Sequence, residues 1–72
     1  MKNINLVKYG WFTRHIHDTM KNCVTPEKLD EVKETLSQEL KRNAKLNIIN
    51  ADEFTRLRFR LTAEYIGRLV EL

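Results

Sequence analysis

Cysteine, proline and glycine are nearly missing from this chain of 72 residues, which carries one, one and two of them. A lone thiol, Cys23, closes no internal disulfide, so no disulfide framework staples the fold. With only Pro26, Gly10 and Gly67, the chain lacks the turn residues of a strand-and-turn architecture and the composition of a disordered linker. Apolar runs stay far short of the roughly 18 residues of a membrane span. Lys8, Gly10 and Arg14 interrupt the N-terminal stretch before the apolar segment of a signal peptide could form. The expectation is an all-α protein of a reducing cytoplasm, away from the membrane.

Length sets the next limit. Residues 1–72 make a single helical domain near the small end of what folds without staples. Apolar burial at about 25 cal/mol per Å² barely outweighs chain entropy at this size, so an interface between copies would add stability that one copy lacks. A small three-helix bundle is expected, with a helical dimer as its associated form.

No dense block of one charge is present either, despite a formal net charge of +3. Residues 1–24 are basic through Lys2, Lys8, Arg14 and Lys21 against Asp18. Residues 25–40 are acidic, Lys41, Arg42 and Lys45 restore a basic turn, and the final segment balances four arginines with four acids. Such alternation suits docking on a complementary protein surface at least as well as tracking phosphates.

What is present is helical period. Leu6, Tyr9, Phe12, Thr13, Ile16 and Met20 share one face of a first helix from about Asn5 to Asn22. Gly10 costs such a helix roughly 1 kcal/mol relative to alanine and allows a later start near Trp11. A second helix is marked by Thr25 as N-cap, Pro26 at the first helical position and Glu27 in the first turn. Its Leu29, Val32, Leu36 and Leu40 repeat as a narrow seam of a two-helix contact, and it stops between Asn43 and Asn47. Leu46, Ile48 and Ile49 are expected to anchor the connection that follows. A third helix opens at Asn50 with Glu53 three residues on, a capping-box pair. Within it Thr55 to Thr62 also alternates as a strand would, but the preceding cap and the absence of a second strand favour helix.

The third helix carries two apolar stripes. At about 100° per residue, Phe54, Leu57, Leu61, Tyr65, Leu69 and Leu72 fall on one side, and Phe59, Ala63, Ile66 and Val70 fall nearly opposite. One neighbour cannot bury both, so the helix is expected to be sandwiched by the chain's own helices or by a second copy. Phe59, Ile66 and Val70 therefore join Leu29, Val32, Leu36 and Leu40 as candidate assembly residues.

Candidate chemistry is sparse. His15 and His17, two apart on a helix, point about 200° away from each other and cannot share a metal ion; His15 falls outside near Trp11, and His17 at the edge of the buried stripe. Cys23 reads as a small apolar filler. Nucleophilic catalysis needs an activated group, an orienter and an oxyanion site in a concave pocket, which a three-helix chain this short hardly offers. No enzyme activity, metal, cofactor or small-molecule substrate is expected. Val7, Trp11 and His15 form an off-core stripe on the first helix. There Trp11 either plugs the core or anchors a partner, a role in which tryptophan is favoured. Arg56 and Arg60, one turn apart, together with Lys41, Arg42 and Lys45, form an alternative surface for nucleic acid. Arg60 can also pair with Glu64, and Arg58 and Arg68 can drape their stems over the apolar stripe.

Cys23, Thr25, Leu29, Val32, Glu34, Glu39, Leu40 and Asn43, and later the run from Arg68 to Leu72, resemble the haemolysin-expression-modulating family of nucleoid-associated partners. The resemblance covers about a third of the chain. It implies a regulator that works by binding another DNA-binding protein. A longer N-terminal helix, an insertion between the two halves and Ile66 in place of an acidic residue depart from that pattern. The expected role is a small adaptor or regulator that binds a regulatory protein through helical surfaces.

Overall fold

The computed structural model describes residues 6–72, the side chain of Leu6 excepted; the expected helix start at Asn5 and the Leu6 contact lie outside the described residues. Three helices follow in order: α1 over Leu6–Lys21, α2 over Pro26–Lys45 and α3 over Ala51–Glu71. Thr55 to Thr62 lies wholly inside α3, so the strand alternative is not realised. Gly10 does not delay α1 to Trp11 either. It sits inside the helix, where an added Cβ would meet open space.

Local chemistry fixes the ends. The Thr25 side chain accepts a hydrogen bond from the Lys28 amide at 3.1 Å, with Pro26 and Glu27 in the first turn of α2. At the other end Asn47 adopts a left-handed φ of 62°, which asparagine tolerates better than most residues. The Ile48 amide then donates to Asn43 O at 2.9 Å and the Asn47 amide to Ala44 O at 3.1 Å, the paired bonds of a Schellman stop. Asn50 and Glu53 close the capping box reciprocally: each side chain accepts from the other's amide at 2.8 Å. Glu53 is itself buried.

Cross-helix bonds define the topology. Tyr65 Oη donates to Asp30 at 2.5 Å, tying the end of α3 to the start of α2, so these two run antiparallel. His15 meets Glu39, and Lys8 Nζ donates to the Ile48 carbonyl, so α1 and α2 are antiparallel too. His17 meets Glu64, and Arg68 reaches Cys23, so α1 and α3 run the same way. Between them lies one core of Phe12, Ile16, Met20, Cys23, Leu29, Leu36, Leu40, Ile49, Leu57 and Leu61.

Several expectations about burial need correction. The seam of α2 is spent inside the chain: Leu29, Leu36 and Leu40 are buried and Val32 is half-buried against them. Of the connection, only Ile49 enters the core, while Leu46 at the end of α2 and Ile48 just after the left-handed Asn47 stand exposed. The sandwich around α3 is completed on one side only. Leu57 and Leu61 are buried by α1 and α2, whereas Phe59, Ala63, Ile66 and Val70 are uncovered.

Candidate functional site

Besides Val24, Leu46 and Ile48 in the connections, the described residues display apolar side chains in two stripes on helix faces. The first is on α1. Val7 is 85% exposed and Trp11 59% exposed, so Trp11 is not a core plug. Its indole lies flat on the His15 ring, centroids 5.0 Å apart and planes 15° apart, and meets the buried Phe12 edge-on at the same separation. His15 Nε2 in turn lies 3.2 Å from Glu39 Oε1 of α2. His15 is thus half-buried between Trp11 and α2, a correction to its expected outward position. The indole thus packs on His15 and Phe12 and leaves more than half of its surface open.

The second place is the outer face of α3, where Phe59, Ala63, Ile66 and Val70 line up over three turns. Thr62 lies beside them, and with Thr55, Arg58 and Phe59 it lines a shallow depression of that surface.

Charged groups occupy the flanks. Arg60 Nε pairs with Glu64 Oε2 at 3.0 Å, and His17 Nδ1 lies 3.0 Å from the other oxygen of the same carboxylate. His17 is exposed rather than at the edge of the core, because α3 approaches it with Glu64, not with an apolar residue. Arg14, Thr13, His17, Gly10 and Arg60 line one open groove between α1 and α3. Arg56 is exposed one turn before Arg60; Lys41, Arg42 and Lys45 are exposed at the end of α2. Arg14 was not among the expected basic residues. Only the parallel apposition of α1 and α3 brings it to Arg60, and sequence spacing carries no sign of that.

Arg68 has a structural task. Its Nε and Nη2 both donate to the Cys23 carbonyl, at 3.0 and 2.7 Å, and its Nη1 pairs with Glu71 at 2.9 Å. A cation at the negative pole of α1 satisfies a carbonyl that the helix leaves open. On the other side of α3, Asp30 accepts the Tyr65 hydroxyl proton, and Lys33 sits 5.2 Å above the ring. The hydrogen bond to Asp30, then burial, then the carboxylate's charge raise the Tyr65 phenol above its ordinary value. Cys23 is buried and donates to Thr19 O at 3.4 Å.

Among the described residues no three His, Cys, Asp or Glu side chains gather as a metal-ion set, and no helix is long and apolar enough to cross a membrane. No protein-family model, curated protein or solved structure matches the chain, so the family resemblance stands on its quoted residues alone.

Proposed function

We propose that this chain is a small non-enzymatic adaptor or regulator that works in the cytoplasm by docking on another protein, with Trp11 as the anchor. One observation carries the reading: a large aromatic stands on the exterior, stacked on His15, which itself meets Glu39. An exposed side chain normally loses rotamer freedom on binding, at about 0.5–1.5 kcal/mol for each one immobilised. Stacking reduces that cost for Trp11, and Val7 extends the apolar patch one turn along. Tryptophan in such a setting is the residue type most enriched among interface hot spots. A photo-crosslinking amino acid at Val7 in the producing cell is expected to give an adduct of one discrete mass. That adduct should vanish when Trp11→Ala is added, with helicity by circular dichroism unchanged. An adduct that survives Trp11→Ala, or no adduct at all, would sink the proposal.

A nucleic-acid reading has a narrower observation behind it, namely that Arg14, Arg60 and His17 face one groove, with Arg56 a turn away. Glu64 holds both Arg60 and His17 and lowers the positive field there. On this reading Arg56→Ala with Arg60→Ala weakens binding to a random 20-base-pair duplex. The slope of log affinity against log salt also flattens by about two. Binding that keeps its slope in the double variant excludes it.

A further inference from the structure

We infer that the outer face of α3 is a self-docking surface on which a second copy of this chain lies antiparallel. This extends the docking reading from α1 to a different face. Phe59, Ala63, Ile66 and Val70 recur at spacings of four, three and four, the d-a-d-a positions of a heptad. The three large ones are 73%, 53% and 81% exposed. A stripe one side chain wide fits a helix of the same period, and α3 is such a helix.

The flanks decide both occupant and direction. Toward α1 the stripe is bordered by Arg56 and Arg60 in its first half and by Glu64 and Glu71 in its second, with Gly67 between. The opposite flank is Thr55, Thr62 and Leu69, with Arg58 as its one charge at the outer edge. A two-fold axis relating antiparallel helices brings each flank against itself in reversed order. With Phe59 over Val70 of the second copy and Ala63 over its Ile66, the basic half meets the acidic half. Arg60 then falls over Gly67 of the second copy, between that copy's Glu64 and Glu71. A Cβ added at Gly67 would meet nothing within 4 Å, so the incoming side chain has room. The groove beside it, about 350 Å³, is lined also by His17, Lys21 and Arg68. Glu64 and Glu71 already hold cations of their own chain, but a carboxylate has about four acceptor sites and can take another donor. Parallel pairing does worse: it does not set the basic half of the Arg56 flank against the acidic half, and it puts Arg56, seven residues before Ala63, directly against its own copy.

Four layers span about 17 Å of helix. The contact is therefore smaller than a standard interface of roughly 1,600 Å², and a dissociation constant of micromolar order or weaker is expected.

Sedimentation equilibrium of the full chain from 0.01 to 1 mM tests association, and a nitroxide at Thr55→Cys in a Cys23→Ala background tests direction. Pairing in the stated register separates the two Thr55 positions by 19 residues along the axis, so electron–electron dipolar spectroscopy should give about 30 Å. Phe59→Glu with Ile66→Glu should keep its helicity and raise the dissociation constant about a hundredfold. A monomer at 1 mM overturns the inference, as does association unaffected by the double variant. A label separation below about 20 Å overturns it too, because the stated antiparallel register holds the two Thr55 positions about 30 Å apart. A monomer that still gives the Val7 adduct removes the pairing and leaves the docking reading standing. A dimer without that adduct does the reverse.

Discussion

The two faces of α3 are made of the same kinds of residue and meet opposite fates. Leu57 and Leu61 are buried, while Phe59 and Ile66, on the same helix, face outward. Helical period assigns each side chain to a face, but only the placement of α1 and α2 decides which face is covered. The inner face holds the monomer together. The outer one adds nothing to the monomer and keeps its apolar area for another molecule, so substitutions on the two faces should separate stability from association.

The largest effect belongs to the inner face. Leu57→Ala should lower unfolding free energy by about 2–5 kcal/mol, read from denaturant melts, because a fully buried leucine leaves both a transfer loss and a cavity. A cost no larger than that of a surface change would mean that the inner face is not the core. Next comes the start of the helix that both faces share: Asn50→Ala, which opens the capping box, should cost about 1 kcal/mol. On the outer face Phe59→Ser should stay within about 0.5 kcal/mol of the parent in a dilute melt. A cost above 2 kcal/mol there would show that the face is already covered. The smallest effect concerns the edge between the faces, where Tyr65 bonds to Asp30. Its phenol titrates above its ordinary value, so the tie is fully present below about pH 10 and is lost as pH rises through the raised value. Tyr65→Phe should remove that alkaline step from the melting curve, while Tyr9→Phe should leave it in place.

Much of this architecture can be read from the chain itself. Thr25, Pro26 and the pair Asn50 and Glu53 act within one helical turn, so their caps follow from sequence alone, and so does the buried face of α2; of the expected inner stripe of α3, Leu57 and Leu61 are buried and Phe54 and Tyr65 half-buried, but Leu69 and Leu72 are exposed. The exceptions share a cause. Ile48 and Leu46 are as apolar as Ile49, but they stand exposed on either side of the left-handed Asn47, and nothing in their hydrophobicity encodes that. His15 reads as an outer residue on a helical wheel, yet the neighbouring helix brings Glu39 to it. Arg68 reads from spacing as a stem draped over the apolar stripe, but α1 ends beside it with an open carbonyl. The exposed indole follows the same rule. Its direction on α1 is legible from spacing, whereas its stack depends on a neighbour held from α2.

The burial of Cys23 gives the molecule a built-in clock. A buried thiol meets a water-soluble disulfide reagent only when the structure around it opens, so its labelling rate measures the free energy of that opening. Because the thiol lies at the end of α1 where Arg68 closes the turn, the clock reports on the seam between the first and third helices. Anything that seats on the outer face of α3 and steadies that helix would slow it, which turns an ordinary cysteine into a detector of occupancy on the opposite side.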